Sequence, residues 1–217
     1  MKIDVLSSDR SHPVRPYLDK WAEAHGRAHD VAILEDWHQC VGGDLLFLIS
    51  CSDLISAELR ANYGRTLVVH ASDLPAGRGW SPLVWQVLEG RDEITLSLFE
   101  AVNEVDAGPI IKKASFTLNG DEMSDEINRK LFETEMALMD YAVENVDALK
   151  ATPQPTDSIS HYRKRTKADS RLDPQKSIAE QFNLLRISDP LRYPCFFDYR
   201  GGTYTLRMEK MDEGPKD

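Results

Sequence analysis

Two stretches of this chain, Asp44-LLFLIS and Thr66-LVVH, are apolar at successive positions and not at alternate ones. A strand of that kind buries both of its faces, so it belongs inside a sheet covered on each side. Each run is too short for a buried helix and is bounded by polar or turn residues. This pattern excludes an open antiparallel sheet with one wet face. It points to the layered α/β class.

The remaining segments fit that frame. Lys2–Leu6 reads as an opening strand, and SSDRSHP breaks it with polar turn residues ending at Pro13. Val14, Leu18, Trp21 and His25 fall on one helical face, which predicts a helix over 14–27. Val31–Leu34 is a second short strand, and Ser56–Gly64 a short helix before the TLVVH strand. The order β-α-β-(loop)-β-α-β is that of a Rossmann-like, doubly wound sheet. A helix over Leu83–Glu89 and extended segments at 94–102 and 110–118 follow, joined by the turn VDAGPI. Ile127, Leu131, Leu138, Ala142, Val146 and Leu149 then mark a long helix from Ser124 to about Lys150, with Ser124 expected at its N-cap. ATPQPTDS places a boundary near residue 152, so we expect a catalytic core over 1–152 and a small C-terminal region over 153–217. That region reads as a linker, a short helix (SIAEQFNLLRIS), a hairpin turning at Gly201-Gly202, and a polar, frayed tail, MDEGPKD.

Charge narrows the partners. Lys plus Arg number 26 against 36 Asp plus Glu, a net charge of −10 that disfavours a phosphate backbone as the main ligand. No apolar run approaches the roughly 20 residues of a membrane span, and the apolar stretch in MKIDVLSSDR is short for a signal peptide. Cys40, Cys51 and Cys195 are odd in number and far apart, which argues against a disulfide framework or a metal site. We therefore expect a soluble cytoplasmic protein with no nucleic-acid or membrane partner and no metal.

Chemistry-bearing residues gather near strand ends. His70 closes an apolar strand just before a Gly/Pro loop, where open α/β sheets bind ligands. It reads either as a proton-transfer group or as a satisfied, partly buried histidine. Asp106 sits in a turn enforced by Gly108 and Pro109. It either orients an imidazole or only hydrogen-bonds its own turn. Ser8, Asp9, Arg10 and Ser11 follow the first strand, where hydroxyls, backbone N–H groups and a guanidinium make either an anion site or a solvated turn. Trp80 could line a pocket or pack, Trp85 has core spacing, Cys51 and Cys195 read as packing residues, and the basic run HYRKRTK (161–167) as a solvated linker.

Taken in register, HASDLPAGRGWSP, then WQVLEG, a strand and VDAGPI resemble the folate-dependent formyltransferase family, whose pattern runs N-x-H, S-L-L-P, R-G and D-x-G-x-I. The resemblance covers about 1–150. The tail YRKRTKADSRLDPQKS is similar to the short domain that follows the core in the sugar N-formyltransferases. LFLISCSD and YRKRT are closest to the branch acting on a UDP-linked amino-dideoxy sugar of the pseudaminic acid route. The family implies His70 and Asp106 as catalytic residues. It implies a folate ring held mainly by backbone, from Cys51, Ser52, Asp53, Leu54 and Ile55 on one side and Val102, Asn103, Glu104 and Val105 on the other. Arg78, Gly79 and Trp80 would lie beside the acceptor, and Ser8–Ser11 would meet its phosphate or sugar.

One element departs from the family: Val68 stands where an Asn precedes the histidine by two. His70 and backbone amides could suffice, another side chain could substitute, or catalysis could be lost; the intact His, LP, RG and D-x-G elements favour an active enzyme. The resemblance thus implies direct transfer of formyl from 10-formyltetrahydrofolate to the amine of a nucleotide-linked sugar, for surface glycan biosynthesis, by a homodimer. The alternatives are a non-catalytic folate- or sugar-nucleotide-binding homologue, and a formyltransferase for another small amine. Methionyl-tRNA formyltransferase would need a basic surface and a larger C-terminal barrel, and glycinamide ribonucleotide transformylase would lack the YRKRT segment.

Overall fold

The structure is a computed structural model and describes residues 1–211. Most of the tail read as frayed lies outside the described residues. A six-stranded sheet organises the chain, built from β1 (Lys2–Leu6), β2 (Asp30–Leu34), β3 (Gly43–Leu48), β4 (Tyr63–His70), β6 (Glu93–Glu100) and β7 (Ile110–Thr117), with the two-residue β5 (Arg78–Gly79) outside it. Its order is β2-β1-β3-β4-β6-β7. The first four strands run parallel, as a wound sheet requires, but β6 and β7 are antiparallel to their neighbours. The four parallel strands carry the wound topology, and the β6–β7 pair extends the sheet at one edge.

Alternation explains why β3 and β4 are apolar throughout. Leu45, Phe47, Ile49, Leu67 and Val69 point into the larger core, while Leu46, Leu48 and Val68 point into the opposite one. The larger core is closed by α1 (Arg15–His25), α3 (Pro82–Leu88) and α4 (Ser124–Glu144). The opposite face is covered by loops and by α2 (Ala57–Arg60), a single turn. That helix is shorter than the expected Ser56–Gly64, because Tyr63 and Gly64 already belong to β4, where Tyr63 pairs with Gly43. Tyr63 also donates to the buried Asp4 carboxylate at 2.5 Å, and burial followed by that bond pushes its phenol well above its usual range.

At α4 the N-cap is Met123 and not Ser124. The Glu126 carboxylate accepts the Met123 N–H at 2.8 Å, which closes the first turn on Met123 and leaves Ser124 as the first helical residue. After α4, Thr152 exchanges two 2.8 Å backbone bonds with Ile110, and β8 (His161–Tyr162) pairs in parallel with β5. Beyond it α5 (Phe182–Ile187) lies against α3 and α4. A hairpin of β9 (Cys195–Tyr199) and β10 (Gly202–Leu206) adds Cys195 and Phe197 to a cluster with Leu172, Leu184 and Leu185. Its turn is Arg200-Gly201, one residue earlier than expected, with φ of 47° and 83°, as a two-residue primed turn demands. No helix among the described residues is long and apolar enough to cross a membrane.

Candidate active site

His70 is the last residue of β4, and its side chain shares the loop-covered face with Val68. Gln86 in α3 donates to the Ala71 carbonyl at 2.6 Å and so pins the strand end. The loop that follows curls back, and the imidazole Nε2 lies 2.9 Å from the Gly77 carbonyl. A carbonyl only accepts, so Nε2 carries a hydrogen and Nδ1 is the ring nitrogen left to exchange a proton. Gly77 has φ of 74°, and a Cβ there would press on Tyr162 at 2.8 Å, which is why glycine is required at this bend.

Asp106 arrives from the β6–β7 connection. That segment leaves the sheet at Ala101, whose N–H donates to the Thr66 carbonyl, then folds back towards His70. The Asp106 carboxylate oxygen stands 3.7 Å from His70 Nε2 and accepts the Gly79 N–H at 2.8 Å. The contact is therefore an ion-pair distance and not a direct hydrogen bond. Both side chains are only about a tenth exposed (11% and 10%), so little water screens an imidazolium here.

The two segments expected around a folate ring are adjacent, and one residue that the sequence reading did not single out joins them. Arg60, ending α2, donates to the Ile55 carbonyl at 2.6 Å, to the Val102 carbonyl at 3.3 Å and to the Asn103 side chain at 2.5 Å. Only the fold brings a lone Arg to partners over 40 residues away. Cys51 is half-buried beside Asp53, and burial raises its thiol above the ordinary range, so it is a poor nucleophile. Leu54, Val102 and Val105 stand exposed on the paired segments, an apolar lip suited to a flat ring. These features fit a folate held between backbone loops.

Arg78 is buried, and its guanidinium bridges Glu104 at 2.9 Å and Gln154 at 2.8 Å. The loop expected beside the acceptor and the loop expected beside the folate are thus one cluster, lining a cavity of about 380 Å³. Trp80, 44% exposed, lies beneath the Lys164 ammonium at 4.5 Å, so part of the basic run 161–167 sits on this loop.

The first-strand loop divides. Ser8 accepts the Ser52 N–H at 2.9 Å and so touches the segment 51–55. Ser11 is bound within the turn to Asp9, whose carboxyl that hydroxyl holds below its usual range, aided by Arg192. Arg10 is largely exposed and faces outward to Glu35.

A family model described as "Formyl transferase" matches residues 3–143. The chain belongs to the formyl transferase family. Among solved structures, this formyl transferase superposes on a methionyl-tRNA formyltransferase from Clostridium thermocellum at a TM-score of 0.82 and 18% identity, over 99% of this chain and 95% of that one. It superposes on a 4-N formyltransferase from Francisella tularensis at 0.75 and 20%, over 97% and 98%. The HypX protein from Aquifex aeolicus, solved with tetrahydrofolic acid, matches at 0.81 and 23% over 96% of this chain and 37% of that one. At these identities the likeness is one of fold. The chain is a transferase of this family, and its fold is the one expected.

Proposed function

We propose that this formyl transferase moves the formyl group of 10-formyltetrahydrofolate to the amine of a nucleotide-linked amino-dideoxy sugar, UDP-linked by preference, for surface glycan biosynthesis. The observation that carries the reading is the sequestered pair of His70 and Asp106, 3.7 Å apart at the junction of both loops. The donor supplies an activated formyl carbonyl. The Nε2–H of His70, which donates to the Gly77 carbonyl in the free site, turns to the formyl oxygen as negative charge gathers there. Asp106 stabilises the imidazolium formed when Nδ1 takes up a proton. The amine adds to the formyl carbon, and the C=O π pair moves to oxygen. Collapse of that tetrahedral intermediate breaks the C–N bond to the folate nitrogen, which takes up the proton that Nδ1 of His70 received from the amine. Segments 51–55 and 102–105 hold the donor, with Arg60 fixing their spacing. Arg78, Gly79, Trp80 and the Ser8–Ser11 loop line the acceptor side.

The test is transfer itself. Folate donor is supplied with UDP- and dTDP-linked amino sugars, with methionyl-tRNA as the competing amine. A mass gain of one formyl group on a sugar nucleotide is expected, and gain on tRNA alone would replace the acceptor. His70→Asn and Asp106→Asn should each lower turnover by roughly 10²–10⁴-fold without unfolding the protein. Full turnover in either variant refutes the assigned chemistry.

A further inference from the structure

Gln154 lies beyond the matched residues 3–143, two positions after the Thr152 bridge to β7. Its side-chain amide is fully engaged at the turn that carries Asp106. Nε2 donates to the carbonyls of Asp106 and Gly108, both at 2.8 Å, while Oε1 accepts from Arg78 at 2.8 Å. Both hydrogens of the amide are therefore committed to two carbonyls of one turn.

That turn needs holding. Asp106 has φ of 54°, a left-handed conformation that a non-glycine residue adopts only at a steric cost. A strained residue persists only where its surroundings over-determine it. Here its carboxylate is fixed by the Gly79 N–H and its carbonyl by Gln154. Releasing the carbonyl leaves the peptide unit free to relax and to rotate the carboxylate away from His70.

We propose that Gln154 is a positioning residue, contributed by the segment after the core, that locks the Asp106 turn in the conformation used for transfer. This rests on the reading of His70 and Asp106 as the reacting pair. It also means that the matched core lacks one brace of its own site.

Gln154→Glu tests it sharply, because a carboxylate can still accept from Arg78 but cannot donate to either carbonyl. Gln154→Ala removes all three bonds. With the full chain, we expect kcat to fall roughly 10- to 100-fold in both variants, with KM for the folate donor changed less than about twofold. Hydrogen exchange followed by mass spectrometry should show residues 101–110 exchanging several-fold faster in both, with α4 unchanged. A role limited to stability would instead speed exchange across the core. Unchanged exchange over 101–110 overturns the proposal whether or not the enzyme turns over. So does wild-type kcat in Gln154→Glu when Asp106→Asn is impaired. If the wild-type chain transfers no formyl group, the reading of the site fails, and the exchange result alone decides the role of Gln154.

Discussion

Val68 marks the position where the family's asparagine is missing, and its surroundings say what a restored amide would meet. Its side chain packs against a cluster that includes Leu46, Leu48 and Ile55. An amide placed there has apolar neighbours, and an unpaired polar group in such a site costs roughly 1–3 kcal/mol. Val68→Asn should therefore lower the melting temperature by several degrees and leave kcat no higher than wild type. A rise in kcat would show instead that the missing donor limits the rate. At this scale the candidate site was legible only in part. His70 and Asp106 advertise themselves by a strand end and a Gly-Pro turn. Arg60 and Gln154 act on backbone 42 to 48 residues away, and nothing local in the sequence marks such a bond.

Among the elements, α4 carries the clearest pH device. Glu135 lies on its core face, 5% exposed, with Leu131, Phe132, Leu138 and Met139 around it along the helix. One carboxyl oxygen has no partner among the described residues, and burial pushes the group up to about 8. The unfolded carboxyl ionises near 4.5, so folding takes up a proton between the two values. Stability then falls as pH rises from about 4.5 to 8 and levels off above. Glu135→Gln should remove that slope, stabilising the fold by on the order of 1–3 kcal/mol at pH 8 and by little at pH 4.5, as thermal melts at the two values would register. Equal effects at both would show that Glu135 does not titrate in the fold. The strands were the most legible elements, since apolar runs such as β3 and β4 have no other place in a layered protein. The misplacements have local causes. Ala57–Ala61 favours helix, but strand pairing claims Tyr63 and Gly64. Of the two glycines in the hairpin, Gly201 makes the turn, whereas Gly202 leaves room for the Tyr204 ring, whose hydroxyl would lie 2.8 Å from a Cβ there. The antiparallel course of β6 and β7 was not legible, because strand direction depends on where the chain re-enters the sheet.

For the whole molecule, the arrangement of the C-terminal region bears on assembly. The hairpin is anchored in cis at its base, through Cys195 and Phe197 against Leu172 and Leu185. Towards its tip the same face stays open, with Tyr199 47% exposed and Tyr204 50%. Tyr204 stacks on Phe197 at 5.6 Å, which makes the open end a continuation of the packed one. A two-stranded hairpin is marginal without a partner on its apolar face, and among the described residues only its base packs against the rest of the chain. A second copy related by a twofold axis would present the same aromatic tip and cover both at once. We therefore expect a homodimer joined through the β9–β10 tip. Light scattering at micromolar concentration should give about twice 24.6 kDa, and Tyr204→Asp should shift the mass towards the monomer with the far-ultraviolet spectrum unchanged. A monomer mass for the wild-type chain would overturn the dimer and leave the cis contacts at the hairpin base as its whole support.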